Sequence, residues 1–159
     1  MNFDEAKNKA LGFLSRKRLA KKELYEKLIR AGAGEEIAKA VLTWAEEYGF
    51  VNDFEYAKSY ISDASNLKKH GMKKIRFDLS RKGISEFLID DVCFELGEYD
   101  ETENIKSIIE KKLLDVNDKK QTDKVIRFLV SRGYSFSDIK KCINDYVSDI
   151  QFGDDEFDS

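Results

Sequence analysis

The chain has no proline, one histidine, one tryptophan and two cysteines in 159 residues, and each shortage closes off a class of answers. Proline is the usual turn and edge residue of strand-rich and loop-rich proteins. Its absence favours helices joined by short turns marked by glycine. The two cysteines, Cys93 and Cys142, stand far apart in apolar runs and read as buried thiols, not as a disulfide framework. No apolar run approaches the ~20 residues of a membrane span, and nothing resembles a signal peptide. A cytoplasmic location without membrane contact is expected.

Catalytic chemistry is also scarce. The single histidine, His70, stands beside Gly71 and two lysines at a helix start, where a surface position is expected rather than a ligand or base. No cysteine and histidine cluster has zinc spacing, and no Gly-x-x-x-x-Gly-Lys-Ser/Thr run exists to hold phosphates. Carboxylates are plentiful, as at Asp53/Glu55, Asp90/Asp91 and Asp154/Asp155/Glu156, but none stands in an apolar context that would raise its pKa for acid–base work. The serines lack a plausible base. No enzyme, no metal and no cofactor is expected.

What the chain does have is charge and repetition. The run from His70 to Ile84 reads as a short basic helix with a glycine at each end. Ile75 and Leu79 share its apolar face, while Lys73, Lys74, Arg76, Arg81 and Lys82 occupy the rest. It has two relatives. Leu24, Ile75 and Val125 stand at intervals of 51 and 50, and the same two intervals separate Leu28, Leu79 and Leu129, and Gly32, Gly83 and Gly133.

Helical periodicity fills in the other elements. Phe3 to Leu19 carries Ala6, Ala10, Leu11 and Leu14 on one face. Lys21 to Ala31 turns Leu24, Leu28 and Ile29 inward. Glu35 and Glu36 open a third helix at the positive end of its dipole, and it ends at Tyr48-Gly49. The cycle restarts at Phe54, passes through the basic helix, and continues over Glu86 to Leu96. A third cycle runs from Ile105 to Val147, with a longer polar connection over Asp115 to Gln121. The expected fold is all-α: tandem three-helix repeats forming an elongated, curved array, with repeats over 1–49, 50–99 and 100–150. Each repeat is too small to bury its own apolar faces well, so neighbours complete the core. The acidic tail, 151–159, is expected to fray. Extended arrays rarely need symmetry to bury a core, so a monomer is expected.

The net charge of −3 averages over strong alternation. Residues 1–30 carry +5, 31–67 carry −5, 68–82 carry +6, 83–105 carry −8, 106–145 carry +4 and 146–159 carry −5. The middle helix of each repeat is the basic one. Its candidate partner-binding or DNA-binding residues are Lys21, Lys22 and Arg30, then Lys73, Lys74, Arg76, Arg81 and Lys82, then Lys124, Arg127 and Arg132. The third helix of the first two repeats is acidic. Such alternation can simply keep helices solvated through weak salt bridges. It also suits a partner that is itself a charge-patterned polymer. An acidic protein with basic stripes would not bind naked DNA strongly in physiological salt. Between the first two repeats Tyr48, Phe50, Asp53 and Phe54 form a junction with Tyr56. Packing is the simpler role for its aromatic rings, and base stacking the alternative.

Two stretches carry a family resemblance. One is Tyr48-Gly-Phe-Val-Asn-Asp-Phe-Glu-Tyr-Ala57. The other is Gly71-Met-Lys-Lys-Ile-Arg-Phe-Asp-Leu-Ser-Arg-Lys-Gly-Ile84, with Arg18-Leu-Ala-Lys-Lys-Glu-Leu-Tyr-Glu-Lys-Leu fitting the same pattern upstream. Together they resemble the RecX family of recombination regulators over residues 8–97, while the third repeat matches in spacing alone. The resemblance implies a non-enzymatic regulator of DNA repair and the SOS response. Its partner would be the RecA recombinase filament, with single-stranded DNA met weakly or through the filament. It would bind in the filament groove or block filament extension, and inhibit ATP hydrolysis and strand exchange. Two other readings stay open on the residues: a helical module that binds DNA on its own, and a helical-repeat adaptor with no link to nucleic acid.

Overall fold

The amides of Ala33, Ile84 and Tyr134 donate to the carbonyls of Leu28, Leu79 and Leu129 at 3.0, 3.1 and 3.2 Å. Between them lie Gly32, Gly83 and Gly133 with φ of 104°, 85° and 96°. The amides of these glycines donate to the carbonyls of Ile29, Ser80 and Val130, and the two bonds around a left-handed residue are the Schellman stop, which glycine adopts without a steric penalty. The three equivalent glycines therefore end three equivalent helices, and Ala33, Ile84 and Tyr134 turn back into buried positions.

The structure is a computed structural model and describes residues 1–97 and 99–157, with side chains as far as Gln151. Among the described residues there are nine helices and no strand. The first triplet is α1 (Phe3–Arg16), α2 (Lys21–Arg30) and α3 (Glu35–Glu47). The second is α4 (Asp53–Asn66), α5 (Met72–Arg81) and α6 (Glu86–Leu96). The third is α7 (Glu101–Lys112), α8 (Lys119–Ser131) and α9 (Phe136–Phe157). The all-α reading and its tandem three-helix domains hold.

The apolar spacing read from the sequence lands in the cores. Ala6, Ala10, Leu24, Leu28, Ala38, Val41 and Ala45 cluster in the first triplet. Ile105, Ile109, Val125, Leu129, Ile139 and Cys142 do so in the third. In the second, Ile75, Leu79, Ile89 and Val92 are fully buried. Local expectations shift at the edges. Helix α1 stops at Arg16, and Leu19 is buried in the connection that follows, beside Ala20. Ile29 stays 37% exposed because Leu24 and Leu28 already fill the buried face of a helix of 10 residues. Neither Cys93 nor Cys142 is in a disulfide; the second is buried and the first half-buried. The α9 backbone is helical through Phe157, and of the tail expected to fray Asp158 and Ser159 lie outside the described residues.

Two compact units make up the chain: Met1–Ile61 with Phe77–Gly97, and Ser62–Arg76 with Glu98–Ser159. The division runs through α4 and α5, so the middle triplet is shared. Each unit thereby contains one junction between successive triplets.

Candidate functional site

Helix starts leave backbone amides without intrahelical partners, and most helices here solve this locally. Asn2, Asn52, Ser85, Asp100, Asp118 and Ser135 each accept a bond from the first turn of the helix they precede. Helix α3 follows Gly34 and has no side-chain cap. Helices α2 and α5 have no local one either. Ala20 and Gly71 precede them, and neither has a side chain that can accept a bond. Their first residues are satisfied from a distance. The Lys21 amide donates to Asp53 Oδ1 at 2.9 Å, and the Met72 amide donates to Glu101 Oε1 at 2.6 Å. Asp53 and Glu101 are the first residues of α4 and α7. One device thus appears twice: the helix that opens a triplet caps the middle helix of the triplet before it.

Burial pushes the Asp53 carboxyl above its ordinary range, with Glu46 and Glu23 adding to the shift; the Lys21 amide and ammonium pull it only part of the way back. Glu101 is raised in the same way, by burial first, against the Met72 amide and Lys73. The expectation that no carboxylate has a raised pKa is therefore corrected at Asp53. Its hydrogen-bond partner stands 32 residues away and leaves no mark on the local sequence.

In the first unit the start of α2 meets the end of α5. A Cβ on Gly83 would lie 2.8 Å from Lys22 Cβ, and Lys22 Nζ donates to the Arg81 carbonyl at 3.4 Å. The cation thus meets the negative end of the α5 dipole. Lys82 Nζ lies 3.3 Å from Glu23 Oε2 and 5.9 Å from the centre of the Tyr56 ring. Glu23 Oε1 accepts from the Ala20 amide at 3.1 Å. Burial alone would raise Glu23, but the Ala20 amide and Lys82 outweigh it and hold the carboxyl below its usual value. Lys21 Nζ pairs with Glu46 at 2.6 Å.

The second unit repeats the corner between the start of α5 and the end of α8. The Gly71 amide donates to the Arg132 carbonyl at 2.7 Å. A Cβ on Gly71 would overlap the Gly133 carbonyl, and one on Gly133 would lie 2.6 Å from the Lys74 amide nitrogen. Only two glycines allow the backbones to come this close. Beside them Tyr134 donates to the Lys69 carbonyl, and Asn104 Nδ2 bonds both Tyr99 and the Ser65 carbonyl. Burial holds the Tyr99 and Tyr134 hydroxyls above their ordinary range. His70 is only 7% exposed, and its Nε2 lies 3.2 Å from Arg132 Nη1. The expected surface position for His70 is thus corrected: it follows a lysine at positive φ, Lys69, which turns the chain inward.

The basic residues singled out in the sequence divide into two groups. Lys21, Lys74, Arg76, Lys82 and Arg132 are half-buried, and for Lys21, Lys82 and Arg132 the partners are carboxylates, rings or His70. Lys22, Arg30, Lys73, Arg81, Lys124 and Arg127 are exposed. The first unit brings Lys21, Lys22, Arg81 and Lys82 to one corner, and the second brings Lys74 and Arg132 to another. At the aromatic junction, Phe50 stacks on Trp44 at 5.2 Å and Tyr48 tilts against it at 5.7 Å, so both rings pack against Trp44 of α3. Asp53 is the residue that reaches α2, while Phe54 is half-buried.

Sequence reasoning missed Glu23, Glu101, Asn104 and Tyr134. For Glu101 a signal existed: Lys21 and Met72 are equivalent positions, and Asp53 and Glu101 are acidic residues each opening a helix. Among the described residues, no group of three or more histidine, cysteine, aspartate or glutamate side chains could hold a metal, and no helix is long and apolar enough to cross a membrane.

Comparison with known proteins follows the same three triplets. The models for the first, second and third three-helix domains of RecX match residues 6–44, 52–92 and 98–143. The chain is 31% identical to "Regulatory protein RecX" of Clostridium tetani, over 90% of this chain and 68% of that one. It is 34% identical to the protein of the same name from Clostridium perfringens (strain 13 / Type A), over 91% and 68%. With that of Vibrio vulnificus it shares 33% identity, over 87% and 91%. The crystal structure of RecX from Lactobacillus salivarius has the same fold, with a TM-score of 0.77 at 24% identity over 90% of this chain and 95% of that one. A second crystal structure, of "regulatory protein RecX", superposes with a TM-score of 0.75 at 26% identity, covering 87% of this chain and 71% of that one. With its three domains matched in order and its relatives aligned along nearly the whole length, the chain belongs to the RecX family of regulatory proteins.

Proposed function

We propose that this chain binds the RecA recombinase filament on single-stranded DNA and inhibits its ATP hydrolysis and strand exchange, by lying in the filament groove or by blocking extension. The observation that carries this reading is the recurrence of one basic corner. The end of one middle helix meets the start of another in each compact unit, with lysines and arginines on both. A periodic partner is matched by periodic contacts, and several weak contacts along a filament add through effective concentration. The exposed cations Lys22, Arg30, Lys73, Arg81, Lys124 and Arg127 are the residues that meet phosphate or acidic protein surface. The half-buried Lys21, Lys82 and Arg132 are engaged within the chain and support the corners. The action is stoichiometric and non-catalytic, by a monomer in the cytoplasm. Its support is that the carboxylates Asp53, Glu101 and Glu23, whose titration is shifted, serve as caps and clamps.

Binding measured against three targets tests this: naked single-stranded DNA, DNA-free recombinase, and the assembled filament. Preferential binding to the filament, weakening steeply with salt, is the expected result. Tight binding to naked DNA with no preference for the filament would overturn it in favour of a stand-alone DNA-binding module.

A further inference from the structure

Helix α6 has one face in the core and an opposite face that this chain leaves uncovered. Ile89 and Val92 are fully buried. Phe87 and Phe94 are 85% and 91% exposed. They stand seven residues apart, with Asp90 and Asp91 at the third and fourth positions between them, so all four share one stripe. The two rings lie about 10.5 Å apart along the axis.

The fold does not require phenylalanine there. By the repeat spacing, Phe87 corresponds to Glu36 and Ser137, and Phe94 to Thr43 and Asn144. The same positions of the same helix are polar in the first and third triplets. Two exposed phenylalanines on one face are a cost in water, and exposed aromatic pairs rimmed by charge mark contact surfaces.

Charge selects the occupant. Residues 83–97, which belong to the first unit, contain four acidic residues and no lysine or arginine. All four lie on α6: Glu86, Asp90, Asp91 and Glu95. Glu95 pairs with Lys58 at 2.9 Å, and Asp90 also has an interaction within the chain. Such a surface repels phosphate and attracts cationic side chains. If the chain works on a protein–DNA filament, this face belongs against the protein.

We infer that the Phe87–Asp90–Asp91–Phe94 face of α6 docks on a cationic segment of the recombinase protomer, with the two rings as apolar anchors and the carboxylates meeting its lysines or arginines. This rests on the reading under Proposed function and adds a polarity to it: α6 faces protein, leaving the basic corners for the nucleic acid.

The test uses the full chain, wild type, F87A/F94A and D91K, against the assembled recombinase filament and, separately, a labelled oligothymidylate. Because both rings are exposed, the variants should keep the wild-type melting temperature. The expected result is at least a tenfold loss of affinity for the filament in both variants, with oligothymidylate binding unchanged or, for D91K, stronger. Variants that bind the filament like the wild type, while the wild type still inhibits ATP hydrolysis, overturn the α6 assignment and leave the proposed function standing. A wild type that neither binds the filament nor inhibits it overturns both. Loss of oligothymidylate binding alone, or loss of self-association alone by sedimentation, reassigns the face to nucleic acid or to a second copy, and overturns the inference.

Discussion

The side chain of Asp53 accepts a hydrogen bond at 2.9 Å from the amide of Lys21, 32 residues earlier in the chain. Through it the first residue of one triplet caps the middle helix of the previous one, and Glu101 does the same for Met72. An Asp53→Ala variant removes the acceptor and leaves the start of α2 without it. The expected loss is about 1 kcal/mol, the usual value of an N-cap, read as a lower urea midpoint with an unchanged slope. Glu101→Ala should cost a similar amount, since it removes an equivalent bond.

The titrations of Asp53 and Glu23 run in opposite directions. The folded pKa of Asp53 lies above its ordinary 3.8, so the folded chain holds this proton more firmly than the unfolded chain does. The resulting stability is present below 3.8 and is lost as pH rises through the folded value. Glu23 lies below its ordinary 4.5 when folded. Its contribution is present above 4.5 and is lost as pH falls through the folded value. Urea melts of wild type, Asp53→Asn and Glu23→Gln from about pH 3 to 7 check this. The stability of wild type relative to Asp53→Asn should fall with rising pH, and relative to Glu23→Gln it should rise.

Gly71→Ala and Gly32→Ala separate two uses of glycine. A methyl group on Gly71 would collide with the backbone of Gly133 and Tyr134, prising α5 from the end of α8. A loss of about 1–3 kcal/mol or more is expected, the range for forced overpacking. Gly32 has φ of 104° but open space around its Cβ position. Its alanine variant carries only the left-handed penalty, roughly 1–2 kcal/mol. Thermal melts of the two variants and the wild type give the comparison.

How much was legible follows from the range of each interaction. The stops at Gly32, Gly83 and Gly133 and the apolar positions such as Leu28, Leu79 and Leu129 are local, set within one or two turns of helix. The chain therefore displays them directly, and their 51- and 50-residue intervals reveal the repeat. Asp53, Glu101 and His70 owe their environment to segments 32, 29 and 62 residues away. Nothing near them in sequence distinguishes a cap from a solvated charge. The basic residues were visible as a set, but their division was not. Lys82 and Arg81 are neighbours in sequence, yet one clamps Glu23 and the other is exposed, lying 5.7 Å from the ring of Phe77 four residues before it.

That division makes its own prediction. Lys82→Ala breaks a half-buried pair with Glu23 and should lower stability by about 1–2 kcal/mol, between the values for exposed and buried pairs. Arg81→Ala should leave the melting temperature within about a degree of wild type, as surface substitutions do, and act on partner binding alone. Calorimetry for the first property and filament binding for the second separate the two residues.

The most direct measurement is recombinase ATP hydrolysis on single-stranded DNA, titrated with wild type and with a variant carrying Lys73→Glu, Arg81→Glu, Lys124→Glu and Arg127→Glu. All four substituted residues are exposed, so the variant is expected to fold. Wild type should inhibit well below one chain per recombinase protomer, with at least a tenfold higher concentration needed for the variant. No inhibition by wild type at equimolar chain, or equal inhibition by both, would contradict it.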